Sequence, residues 1–367
     1  AFRSCPALTR VIVSVTPEDL TSEGLTIGDY AFYETGLAGE LTIPYGVTSI
    51  GNYAFTYSKL TKVSLPATLT AIGNYSFAFM DNLTDINVPY TVKTIGQSAF
   101  AGNPKLANVT FDETPEGVEE SSLVITGGGV ATNLTSTGYV YKVEELNSQV
   151  RGLFVGDMAL QTVALPTRLK SLPSYMFAYS GLESIVLHDG ITTIDTSAFM
   201  GTNITSVTIP YTVTSIGNNA FALCKKLTTV NFAATPEGVE DVVLTISVMS
   251  SNATQNITYN TYCEGDGKYY GGAFAGSMAI ETMTLPARLK EIPKYLFTTM
   301  SVKTVILEDG LADLGDYAFS YATQIKELVL PASLKDYGTS PFVGWTKEQK
   351  ITLRLYEVSD VNISWSF

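Results

Sequence analysis

The chain has 367 residues, of which 45% are hydrophobic and only 16% charged, a balance that supplies a large core and excludes a disordered chain. Its 22 basic residues are scattered against 35 acidic ones, for a net charge of −13, so no basic stripe exists to neutralise a nucleic acid or an anionic membrane. No apolar run approaches the roughly 20 residues that a membrane-spanning helix needs.

Taken in order, the chain repeats one phrase with a period of about 23 residues, the mark of a solenoid. Residues 83–105 show it cleanly. Leu83, Ile86 and Val88 form the inward face of a short strand, Pro89 ends it, Val92 and Ile95 begin a second apolar stretch, and Gly96 breaks that. Ala99-Phe100 then turn the chain back. The position after each first strand falls at Ser14, Pro44, Pro66, Pro89, Asp112, Pro166, His188, Pro210, Ala233, Pro286, Glu308, Pro331 and Arg354, which makes about thirteen units. Proline has no N–H for a ladder and suits a strand end. A second column, Ile50, Ile72, Ile95, Leu172, Ile194, Ile216, Ile292 and Leu314, marks a short second strand.

Thirteen of the 17 Phe residues fall in a third column: Phe2, Phe32, Phe55, Phe77, Phe100, Phe154, Phe177, Phe199, Phe221, Phe274, Phe297, Phe319 and Phe342. Such regularity predicts a stacked aromatic spine at the turn end of the core. Outward strand positions are small and hydroxylated, as at Thr162, Ser184, Ser206, Thr229, Thr282 and Thr304, which suits an exposed pleated face. No long amphipathic helical period occurs, so any helix is confined to about one turn near the Ala-Phe segments. The expected fold is mainly β, a single solenoid over residues 1–367 with units of 22–23 residues and short parallel strands.

The chain opens inside a unit, since Ala1–Val11 matches Ala220–Val230 position for position. This predicts that an N-terminal cap, together with any export signal, lies upstream. A C-terminal cap is expected at about residues 348–367, with Val361–Trp365 as a closing strand.

Every fourth unit is interrupted behind a similar heading: Thr16-Pro-Glu, Thr114-Pro-Glu-Gly-Val-Glu119 and Thr235-Pro-Glu-Gly-Val-Glu240. The latter two open long insertions at 112–153 and 233–273, whose strand-like runs (122–126, 138–143, 242–248 and 256–259) read as β excursions from one edge. Long loops on a rigid scaffold are where binding residues concentrate. Of the three cysteines, Cys5 and Cys224 are too far apart to bridge, at about 40 Å against a limit of about 7 Å, and only Cys224 with Cys263 remains open as a pair.

The pattern Leu-x-x-[Ile/Val]-x-[Leu/Ile/Val]-Pro…Val-x-x-Ile-Gly-x-x-Ala-Phe, clean in residues 83–100 and 205–221, resembles the BspA-type leucine-rich repeat family over nearly the whole chain outside the insertions. The resemblance implies a curved parallel-strand solenoid, export or surface attachment, and a role in adhesion to host matrix proteins or other cells. It brings no catalytic residue with it.

The residues themselves offer no catalytic, metal or cofactor site. The single histidine, His188, stands where other units carry Pro, and His188-Asp189-Gly190 matches Glu308-Asp309-Gly310, which reads as a turn with an exposed polar residue. The acidic group Asp112, Glu113, Glu116, Glu119 and Glu120 lacks the ligand spacing of a calcium loop and reads as solvated. Tyrosine is the better lead. Tyr139, Tyr141, Tyr259, Tyr262, Tyr269 and Tyr270 lie in the insertions, and Tyr53, Tyr75, Tyr175, Tyr295 and Tyr317 share one place two residues before the Phe. Exposed tyrosines make good contact surfaces, although for the second set half-buried packing over the turn is the readier explanation. The function expected is a non-enzymatic, extracellular or cell-surface binding protein whose partner is a host or matrix protein. A surface glycan is the alternative ligand, and glycoside hydrolysis by two carboxylates the third reading.

Overall fold

The computed structural model describes residues 2–12, 24–130, 150–247, 272–297 and 300–354. Tyr139, Tyr141, Tyr259, Tyr262, Tyr269 and Tyr270, Cys263 and the expected closing strand all lie outside them. Within them the fold is a parallel β-solenoid without helices.

One sheet column is built from the first strand of each unit, beginning Ala38–Thr42, Lys59–Ser64, Asp85–Val88 and Asn108–Phe111 and ending Glu327–Leu330 and Lys350–Leu353. Neighbours pair in parallel and in register, Ile86 opposite Val109 and Val207 opposite Val230. The second column is made of shorter strands, among them Val47–Ile50, Ala71–Ile72, Thr94–Ile95 and Ser215–Ile216, each presenting one buried Ile inward. Residues at i and i+2 of a strand share a face. Leu, Ile and Val at those positions meet in one continuous core, while Thr, Ser, Asp and Asn point outward.

The Ala-Phe segments hold no helical turn, contrary to expectation. Most carry two residues in the left-handed region, one two positions before the Phe and one two positions after it, as at Tyr53 (φ 57°) and Tyr57 (φ 61°), or Tyr175 (φ 60°) and Tyr179 (φ 55°), whereas the Phe154 and Phe274 segments carry only the second, at Gly156 and Gly276. This double reversal aims alternate N–H groups along the solenoid axis. Phe55 N donates to Ser76 O (2.8 Å) and Tyr53 N to Asn74 O (2.8 Å), so a third ladder of hydrogen bonds closes the unit where no strand exists. An isolated helical turn would have left those groups unpaired in the core, which costs more than the strained backbone.

The aromatic spine is present. Neighbouring rings from Phe2 to Phe274 stack 5.1–5.8 Å apart. It runs straight across both interruptions, Phe100 on Phe154 at 5.8 Å and Phe221 on Phe274 at 5.4 Å. Three residues after the Phe a buried polar column satisfies the turn: Asn103 Oδ1 accepts from Met80 N (2.8 Å), and Ser277 Oγ accepts from Cys224 N (3.1 Å). Cys224 belongs to this column, and burial pushes its thiol up to about 11, so it is an inert packing group. Cys5, at the same place in its own unit, is half-exposed.

Candidate ligand-binding surface

The two long interruptions are not single excursions. Inside the first, Val124–Ile125 pairs in parallel with Thr94–Ile95, and Leu123 and Ile125 are buried. Inside the second, Thr245–Ile246 pairs with Ser215–Ile216. The runs at 122–126 and 242–248, expected as β excursions, therefore contain the second strands of their own units. Each interruption splits into an acidic loop before that strand and a longer departure after it. The first departure leaves at Gly129–Val130 and returns antiparallel beside it at Val150–Arg151.

Two arginines seal the gap beneath the acidic loops. In three of the plain units a Thr or Ser two residues after the strand-end mark hydrogen-bonds to a carbonyl one unit back: Thr68 Oγ1 to Val47 O (2.9 Å), Thr212 Oγ1 to Ile191 O (2.8 Å), and Ser333 Oγ to Leu311 O (2.7 Å). In an interrupted unit Thr114 or Thr235 occupies that place in the sequence, at the head of the acidic loop, where the chain leaves the stack. The next unit answers with Arg168, and four units later with Arg288. Arg168 reaches back two units to donate to Val92 O and, at 3.2 Å, to Pro89 O. Arg288 does the same to Val213 O and, at 3.0 Å, to Pro210 O. Both are buried, at 1% and 3% exposure. Burial lowers the pKa of each guanidinium, while Glu113, Glu120 and Asp112 oppose that at Arg168 and Asp241 opposes it at Arg288.

The acidic heading thus has structural work, as counter-charge over a buried cation. Glu113 and Glu120 also accept from the Thr167 hydroxyl, each at 2.9 Å. No group of three or more His, Cys, Asp or Glu arranged to hold a metal occurs among the described residues. Glu116, the second residue of a displayed turn, and Glu119, just after it, face solvent. That turn is the same in both loops. Val118 N donates to Pro115 O and Val239 N to Pro236 O, both at 3.1 Å, with Gly117 at φ 80° and Gly238 at φ 81°. This is a type II turn, which needs a positive φ at its third residue. Val118 and Val239 are about half exposed.

Tyr53, Tyr75, Tyr175, Tyr295 and Tyr317 are all half-buried, and each is a left-handed residue. The structure gathers Tyr30, Tyr53 and Tyr75 into one stack, with ring centroids 4.9 Å apart and planes within 7° of parallel. Arg3 lies over the outer face of Tyr30 at 4.6 Å. Tyr295 stacks on Tyr317 at 5.3 Å, whereas Tyr175 is in register with Ser197 and stands apart from both stacks. Burial, then the neighbouring phenols of Tyr75 and Tyr30, push the Tyr53 hydroxyl above its ordinary value, and burial does so at Tyr175, so both rings remain neutral. In the stacks the ring faces cover one another and the surface receives edges and hydroxyls.

A parallel set two residues after the Phe follows a rule of its own. An aromatic there is covered by the next unit, and where the run of rings ends the next residue is glycine: Phe79 is followed by Gly102, Tyr179 by Gly201, and Tyr321 by Gly344. A Cβ on Gly102, at φ 72°, would stand 2.5 Å from the Phe79 ring. Gly102→Ala is therefore expected to cost the strain of a left-handed alanine, about 1 kcal/mol, plus about 1–3 kcal/mol of overpacking. Gly117→Ala, with open space around its Cβ at φ 80°, is expected to cost the first part only. Urea denaturation of the two variants checks the difference, and equal losses would refute it.

His188 is half-buried, and its Nδ1 accepts from Gly190 N at 3.1 Å. It shapes the turn instead of standing exposed on it. The signal for the two sealing arginines was present in the sequence as a pair of Arg in a Thr/Ser column, 120 residues apart, each just after an interruption.

Several solved structures are similar to this chain. A leucine rich cell surface protein from Faecalibacterium prausnitzii is 21% identical, with 92% of this chain and 93% of that one covered and a TM-score of 0.45. A leucine-rich repeat protein from Bacteroides ovatus is 19% identical, over 90% and 87% of the two chains, with a TM-score of 0.43. The pneumococcal vaccine antigen PcpA is 16% identical, over 90% and 84%, with a TM-score of 0.38. No curated protein matches the chain. The BspA type leucine rich repeat region is matched in six copies, over residues 1–124, 144–262 and 268–361. With nearly the whole sequence accounted for by that repeat, the chain belongs to the BspA-type leucine-rich repeat family.

Proposed function

We propose that this chain is a non-enzymatic binding protein, exported or displayed at a cell surface, that uses its solenoid as a scaffold for recognising a protein ligand. The observation that carries this reading is the sealing of both interruptions by Arg168 and Arg288. The solenoid is closed beneath the acidic loops, so these loops are held at two matching places without belonging to the core, and each is followed in sequence by a second strand and a longer departure. At a rise of about 4.8 Å per unit, the two places stand about 20 Å apart along the axis. A partner that touches both gains avidity without any new contact. Tyr139, Tyr141, Tyr259, Tyr262, Tyr269 and Tyr270 belong to the departures and are the first contact residues proposed.

A protein ligand is favoured over a glycan on one further ground. A sugar ring packs on an open aromatic face, and the stacks through Tyr53 and Tyr317 spend their faces on each other. Edges and hydroxyls suit the polar, irregular surface of a protein.

The test is to excise residues 129–151 and 248–271, leaving both second strands in place, and to compare both forms on immobilised matrix proteins and on a glycan array. The excised form is expected to keep its far-ultraviolet spectrum and lose at least tenfold in affinity for the matrix protein that the intact chain selects. Undiminished binding by the excised form would sink the assignment to the departures, and capture of glycans alone would overturn the protein-ligand reading.

A further inference from the structure

Asp157 is the one acid in the buried polar column that follows the Phe spine, and the column's geometry says in which form it is held. One unit earlier the same place is taken by Asn103. Its Oδ1 accepts from Met80 N at 2.8 Å, and its Nδ2 donates to Phe77 O at 3.0 Å and to Phe100 O. Asp157 repeats the first half of this arrangement, with Oδ1 accepting from Asn103 N at 2.7 Å. Its second oxygen, Oδ2, is buried and has no hydrogen-bond partner among the described residues. By register Oδ2 stands where Asn103 carries its amide nitrogen, among carbonyl oxygens one unit on. A bare carboxylate oxygen there would face acceptors in a dry core, a costly arrangement for a fully buried group.

We infer that Asp157 is held as a neutral carboxylic acid whose Oδ2–H plays the part of the asparagine amide, which makes this unit a pH-sensitive joint. The joint lies just inside the point where the chain re-enters the solenoid after its first departure, at Leu153–Phe154. The groups acting on the carboxyl's charge are the peptide N–H groups of Asn103 and Gly102, and no charged side chain acts on it among the described residues. Burial outweighs those two donors and moves the carboxyl well above its ordinary range.

The sign of the pH dependence follows. Between the unfolded carboxyl's pKa, about 4, and the raised folded value, the folded chain binds a proton that the unfolded chain does not. The stability supplied by the neutral acid is therefore complete below about pH 4 and is lost as pH rises through that window. The folding equilibrium constant changes by up to tenfold per pH unit.

The test compares the wild type with Asp157→Asn and Asp157→Ser, the latter a residue the column already uses at Ser180 and Ser277. Denaturation from pH 4 to pH 8 should show the wild type losing ground to Asp157→Asn as pH rises, with the tenfold slope over part of the range. At pH 6 an infrared difference spectrum between wild type and either variant should show one carboxylic-acid carbonyl band belonging to the wild type. A wild-type to Asn stability ratio constant with pH overturns the inference. So does a wild-type spectrum at pH 6 with no acid band, and that measurement stands even if a variant fails to fold.

Discussion

Phe199→Ala is expected to destabilise the protein by about 3–5 kcal/mol and to split its unfolding into two transitions. The ring is fully buried and stacked on both sides, 5.4 Å from Phe177 and 5.1 Å from Phe221. The loss combines transfer of the ring with the void it leaves, and parallel sheet columns on either side restrict collapse into that void. In a solenoid each unit touches only its neighbours, so cooperativity passes through interfaces such as this one. Breaking the spine in the middle removes coupling between the units before and after it. Differential scanning calorimetry checks both parts; a single sharp transition shifted by less than about 1 kcal/mol would refute the spine as the coupling element.

Arg168→Thr is the second large effect, and it is informative because it restores the residue usual in its column. Thr68 and Thr212 serve that place well one unit from their carbonyls, but Arg168 spans two. The threonine cannot reach, so Val92 O and Pro89 O lose their added donors at about 1–3 kcal/mol each. The expected total is about 2–5 kcal/mol, close to that of Arg168→Ala. Buried charges can often be exchanged for apolar groups at little cost when the partner goes too, but here the partners are peptide carbonyls that remain. Arg168→Lys is expected to recover part of the loss, since an ammonium lacks the planar fork that meets two carbonyls at once. Urea midpoints of the three variants decide the matter, and Arg168→Thr matching the wild type would show that the gap needs no bridge.

Much of the fold was legible because a solenoid writes the same constraint many times. Pro44, Pro66, Pro89, Pro166, Pro210, Pro286 and Pro331 mark strand ends, and 13 phenylalanines mark the spine. Features that occur once or twice were harder to see. Val124–Ile125 and Thr245–Ile246 are two-residue strands without the Gly, Pro or Asp that follows the others, so they dissolve into the insertions around them. The left-handed tyrosines were hidden by propensity, since bulky residues avoid positive φ. At Tyr53 and Tyr75 the stacking of rings, together with the third ladder, outweighs that local preference. Arg168 and Arg288 were hidden by habit, because arginine is normally a surface residue and only its register betrays a buried role. The candidate contact surface was readable as a place, the interruptions, more than as a geometry.

The antiparallel stem formed by Gly129–Val130 and Val150–Arg151 gives the first departure a property that concerns its future more than its present. Its two ends leave and re-enter side by side, while the polar column steps from Asn103 directly to Asp157 and the stack continues as if nothing intervened. What the solenoid feels is only the entropy of closing a loop, which rises by about 0.6 kcal/mol for each doubling in length. Sequence between the stem strands can therefore lengthen, shorten or be exchanged wholesale with little thermodynamic penalty to the scaffold. The stem is a socket whose contents can change while the framework that carries it stays the same.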